Sequence, residues 1–134
     1  MNCFGVLNNA IVNSRFQERL KEINIDETYE KVWEDLKSLS DLSRQEGLIP
    51  MCKIKCKNSV LQEFLNFVES ALGDTDVSVI YEKLLFVFAP ILLNDSLSSL
   101  DYILTVLYIE GMFQILSGDP TEQIQLRTKK IMGV

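Results

Sequence analysis

Histidine is absent from this chain of 134 residues. Its absence removes imidazole acid–base catalysis, Ser-His and Cys-His nucleophile pairs, and histidine-ligated metals together. Proline and glycine are scarce, at 3 and 6, too few for a loop-rich all-β domain. Cysteine occurs only at Cys3, Cys52 and Cys56. The count is odd, and no basic region, apolar run and cleavage site open the chain. The expectation is therefore a reducing, intracellular setting rather than a secreted disulfide scaffold. Basic residues are outnumbered, 13 to 19, for a net charge of -6. That balance argues against broad nucleic-acid binding, where Lys and Arg contacts dominate affinity. Long apolar runs are missing too: the longest, residues 84–93, is about half of what spans a bilayer. No membrane partner is expected.

What is present is an ordinary folding composition, 47% apolar and 24% charged. At this size one domain is expected, burying roughly two-thirds of its unfolded surface. The apolar mass concentrates in residues 77–116, VSVIYEKLLFVFAPILLNDSLSSLDYILTVLYIEGMFQIL. Residues 74–118 carry Lys83 alone against Asp74, Asp76, Glu82, Asp95, Asp101 and Glu110.

Helical spacing recurs along the whole chain. Residues 4–23 place Phe4, Leu7 and Ile11 on one stripe and Val12, Phe16, Leu20 and Ile23 on another. They read as one helix with a kink near Asn13, or two if Ser14 and Gln17 form a capping box. Asp26 is the expected N-cap of a helix carrying Tyr29, Val32, Trp33, Leu36, Leu39 and Leu42 and stopped by Gly47. Pro50 suits a first helical position, for a short helix through about Cys56. Ser59 with Gln62 would recap a buried helix over residues 60–72. Asp74-Thr75-Asp76 leads into a helix whose face holds Val77, Ile80, Tyr81, Leu84, Leu85 and Phe88, widened by Val79 and Val87. Pro90 should kink or end it. Asn94-Asp95-Ser96 is the expected cap of a long helix to Leu116. Gly111 inside that helix either admits a close neighbour or marks a break. Gly118 reads as a C-cap, and Asp119-Pro120 as the start of a last helix over residues 121–132.

Two segments align at an offset of 45 residues: LQEFLNFVESALGDT (61–75) over VLYIEGMFQILSGDP (106–120), with Gly73-Asp74 on Gly118-Asp119. A helical period near 45 is that of HEAT and armadillo repeats. EGMFQILSGDPTEQIQLRTKKI (110–131) resembles an armadillo-type passage, and EGLIPMCKIK (46–55) is similar to the start of a unit's final helix. Residues 1–45 lack the pattern. The resemblance, over residues 46–131, implies a helical repeat that serves as a terminal unit or fragment of a longer protein. A compact multi-helix bundle is the other all-α arrangement.

Candidate chemistry is thin. Cys52 and Cys56 would share one face of a helix, with Lys53, Lys55 and Lys57 lowering a thiol pKa. Zinc needs four ligands, and Cys3 is the sole remaining thiol. Structural cysteines are the plainer reading. Glu27, Glu30 and Glu34 read as a solvated helix face. No Gly-Lys-Ser/Thr phosphate loop occurs. No cofactor or metal is expected. The functional expectation is a non-catalytic interaction module offering a groove to a partner helix or extended peptide. The face made by residues 59–72 and 97–116 is where that groove is sought, and a homodimer contact is the other use of the apolar excess. Lys53, Lys55, Lys57 and Glu110 are the candidate partner-binding residues. The competing readings are a compact regulatory bundle, of viral or apoptotic-adaptor type, and an enzyme working through Cys52/Cys56 or carboxylates.

Overall fold

The computed structural model describes residues 14–73, 76–88, 90 and 96–134. Among them the chain is all-α: seven helices and no strand. They are α1 (Ser14–Leu20), α2 (Ile25–Glu46), α3 (Leu48–Cys52), α4 (Ser59–Ala71), α5 (Val77–Phe88), α6 (Ser99–Leu116) and α7 (Thr121–Met132). The expected stripe at residues 4–12 lies outside the described residues.

The start of α2 is set by Asn24, not by Asp26. The Asn24 side chain accepts the Glu27 N–H at 3.1 Å, so Asp26 and Glu27 fall in the first turn, where the helix dipole favours acids. Gly47 ends the helix at φ 97°, a conformation that costs a residue without Cβ little. Tyr29, Val32, Leu36 and Leu39 form the buried stripe.

α3 is shorter than expected and begins earlier. Pro50 occupies its third position, still within the first turn, where an N–H would lack an intrahelical partner. The helix stops at Cys52. Residues 53–57 then alternate: Lys53, Lys55 and Lys57 are exposed while Ile54 and Cys56 are half-buried. Lys53 still turns with α3, at φ -87° and ψ -3°, and residues 54–58 leave it as an irregular segment. Asn58 caps α4 by accepting the Val60 and Leu61 N–H groups at 2.9 and 3.1 Å. Gln62, instead of completing a box with Ser59, accepts the Cys56 N–H at 2.8 Å and ties the 53–57 strip to α4.

Asp76 caps α5, accepting from the Ser78 N–H and hydroxyl at 3.0 and 2.8 Å. Those bonds hold its carboxyl below the usual carboxylate range. α5 ends at Phe88, two residues before Pro90. Ser98 caps α6 by accepting the Asp101 N–H. Of the expected cap, Asn94 and Asp95 lie outside the described residues, and Ser96 precedes the helix.

α6 is the axis of the molecule. Residues 102–112 are buried on every side, and α1, α2, α4, α5 and α7 all pack against it. By length and composition α6 would also cross a membrane, yet 78% of it is buried among the other helices. Gly111 lies within continuous helix against Leu36 of α2; close approach, not a break, is its role. α1 docks through Phe16 on Tyr102, with the Arg15 and Arg19 guanidiniums 5.4 and 5.2 Å from the Tyr102 ring centre.

At the end of α6, Gly118 takes φ 78°. Its N–H reaches the Ile115 carbonyl and the Asp119 N–H the Gln114 carbonyl, a Schellman closure. Gly73, after α4, has no left-handed φ, so the two aligned glycines differ in backbone. Arg44 donates to the Asp119 carbonyl at 2.6 Å, and Ser40 and Thr121 exchange a hydrogen bond at 3.0 Å. These bonds fix α7 along α2 and α6. Pro120 is its N-cap rather than its first residue.

Candidate functional site

The four residues singled out in the sequence part company. Lys53, Lys55 and Lys57 are exposed on the 53–57 strip. Glu110 is inside, 3% exposed, in the middle of α6. Its Oε1 accepts from Arg127 Nε of α7 at 2.9 Å. Its Oε2 and the Oε1 of Gln114, one turn on, are buried without a hydrogen-bond partner among the described residues. Glu110 therefore does not share a surface with the lysines.

Lys55 and Lys57 open onto a cleft of about 430 Å³ between the strip and α2. Lys31, Glu34, Asp35 and Ser38 of α2 form one wall, and Ile54, Cys56 and Asn58 belong to the other. Leu39 and Leu61 lie beneath. Asp35 Oδ2 accepts the Tyr108 hydroxyl at 2.7 Å, which turns that carboxylate toward the interior. Burial, helped by Asp35, pushes the Tyr108 phenol well above the tyrosine range.

The thiols do not make a pair. Cys52 is 1% exposed in α3, and burial with Glu69 nearby pushes it to about 11. Cys56 is raised by its own burial and then by Asp35. The expected lowering by lysine is outweighed by burial and then by a carboxylate, Glu69 at Cys52 and Asp35 at Cys56. A protonated thiol is a poor nucleophile and a poor metal ligand.

The apolar surface lies elsewhere than expected. The face between residues 59–72 and 97–116 is closed, because α4 packs directly on α6. Large apolar side chains instead emerge from α5: Phe86 is 83% exposed, with Val87 and Val79 beside it. Val79 and Val87, read from sequence as part of the buried face, are on the outside. Val87 borders a groove of about 410 Å³ lined by Phe67 of α4 with Glu82, Lys83, Phe86 and Val87 of α5. The signal was available in the spacing. Ile80, Tyr81, Leu84, Leu85 and Phe88 complete one helical stripe, and positions 79, 83, 86 and 87 complete the opposite one.

Comparison of the chain with protein-family models, curated proteins and solved structures returns no match.

Proposed function

We propose that this chain is a non-catalytic protein-interaction module, a helical bundle around α6 that offers the α4–α5 groove to a partner's helix or extended segment. Phe86 carries the reading. It is a large aromatic left in water in the last turn of α5, with Val79 and Val87 on the same side and Phe67 in the adjoining groove. Burying such a side chain is worth about 1.5–3 kcal/mol, and contiguous apolar exposure of this kind is typical of docking surfaces. Anchors at positions 79, 83, 86 and 87 suit a partner laid along α5.

The bundle arrangement is supported by α1 and α7, from opposite ends of the described chain, both packing on α6. In a linear stack each unit meets only its neighbours. The HEAT/armadillo-like alternative rests on the aligned Gly-Asp turns, and the unlike φ of Gly73 and Gly118 weakens it. The non-catalytic reading draws on the missing histidine and on two thiols held protonated.

The test is fluorescence anisotropy of labelled amphipathic-helical and extended apolar peptides with the wild-type chain and Phe86→Ser, together with sedimentation velocity of both. A peptide, or a second copy of the chain, whose binding weakens roughly tenfold in Phe86→Ser supports the proposal. Binders indifferent to Phe86, or a monomer that binds none of them, overturn it.

A further inference from the structure

α7 is fastened to the bundle differently from α4 and α5. We infer that it is a strap: it lifts off α2 and α6 as one unit, hinged at Asp119–Pro120, while the other helices stay folded around α6.

The first ground is what holds it. The buried side chains of α4 and α5 are all apolar but for the phenol of Tyr81. α7 buries Ile124, Ile131 and Met132 with Thr128 among them, and leaves Leu126 64% exposed. The rest of its seating is polar and partly wet. Ser40 and Thr121 share a hydrogen bond at 3.0 Å, and Gln125 Nε2 donates to the Tyr29 hydroxyl at 3.1 Å. The Lys129 ammonium stands 5.9 Å from the Tyr29 ring centre, and Arg127 donates to Glu110 at 2.9 Å. Water replaces such bonds when a helix leaves, so their net hold is small.

The second ground is what lifting relieves. Glu110 Oε2 and Gln114 Oε1 are buried with no hydrogen-bond partner among the described residues. Arg127 of α7 reaches Glu110, and Gln114 lies one turn further along the same face of α6. Both acceptors therefore belong to the seam that α7 covers. Closed, each has given up its water without a donor in return; open, each is hydrated.

The hinge is already separate. α6 is closed by its own carbonyls, the Gly118 N–H on Ile115 and the Asp119 N–H on Gln114. Arg44 of α2 fixes the Asp119 carbonyl at 2.6 Å. None of these bonds involves a residue of α7, so α6 keeps its cap when α7 swings from Pro120. A unit bounded in this way opens below the free energy of global unfolding.

The test is native-state hydrogen exchange of the full chain, read by mass spectrometry on peptides from α4, α6 and α7 in rising, sub-denaturing urea. Residues 121–132 should share one opening, roughly tenfold or more as populated as the globally unfolded state and with a weaker urea dependence. α6 should exchange only by global unfolding. Gln114→Met keeps the side chain's length and removes one unpartnered acceptor. It should lower the α7 opening and global unfolding by the same factor, roughly five- to tenfold, because Gln114 is hydrated in both. Three results would overturn the inference. They are exchange of α7 only with global unfolding, exchange graded inward from Met132 rather than shared, and a Gln114→Met gain that is absent or confined to global unfolding.

Discussion

Gly111 of α6 lies directly against Leu36 of α2. A β-carbon added at Gly111 would stand 2.5 Å from Leu36 Cδ2 and 2.7 Å from Cδ1, inside any van der Waals contact. Two effects compete in Gly111→Ala. Helix propensity favours alanine by about 1 kcal/mol, whereas overpacking a filled core costs about 1–3 kcal/mol. The Leu36 end is mobile but fully buried, so strain wins. The expected outcome is a net loss of about 1 kcal/mol in urea denaturation, largely recovered in Gly111→Ala/Leu36→Val.

Arg127 holds the buried carboxylate of Glu110 from a position 29% exposed. Arg127→Met leaves that charge unpaired in the interior, at an expected cost of about 2 kcal/mol. Glu110→Leu/Arg127→Met removes both charges and the unsatisfied Oε2 as well. The double variant should match or exceed wild-type stability. A double-mutant cycle by chemical denaturation measures the difference, and additive losses would contradict it.

Cys52 gives a pH dependence of known sign. Its thiol is raised from 9.0 to about 11, first by burial and then by Glu69. Below about pH 9 native and unfolded chains both hold the proton, and the neutral thiol is accommodated. Between pH 9 and 11 the unfolded chain releases it while the native chain retains it, so stability falls as pH rises. Cys52→Ala should show a shallower decline over that window than the wild type. At pH 8 iodoacetamide should modify Cys56 well before Cys52.

Gly118 closes α6 at φ 78°, where a Cβ costs about 1–2 kcal/mol. Gly118→Ala should lose about 1 kcal/mol by thermal denaturation, with nothing gained from packing because the space around it is open. Gly73→Ala, at a glycine without a left-handed φ, should change stability by less than about 0.5 kcal/mol. Equal losses at the two glycines would mean that the aligned turns are equivalent after all.

Helix positions were readable wherever a stripe was bounded by a strong stop. Gly47, Pro90 and Gly118 end helices where the residue types require it, because their backbone preferences are local. N-caps were less legible. Asn24, Ser98 and Asn58 cap in place of nearby Asp26, Asn94–Ser96 and Ser59, since several residues in each run can accept the orphan N–H groups and packing chooses among them. The 53–57 segment departs from the helix expected through Cys56 because α3 closes with one last turn at Lys53.

The candidate sites were harder still. The basic segment was visible as a run of lysines, but Lys31, Asp35 and Tyr108 come from 18 or more residues away and join it only through the packing of the helices. Phe86 sits among Leu84, Leu85 and Phe88, and composition alone cannot say which of these faces water.

By itself the sequence determined the helical class, the main stops, the exclusion of histidine chemistry and the oily centre at 77–116. Those follow from local backbone preference and from residue types that are present or missing. Only the tertiary structure decided that α6 is enclosed on all sides, that Glu110 is internal and the lysines external, and that α5 keeps an apolar face uncovered. An apolar helix states that it will be buried, but not by which neighbours or over how much of its circumference. That is set by where α1, α2, α4, α5 and α7 find room around α6.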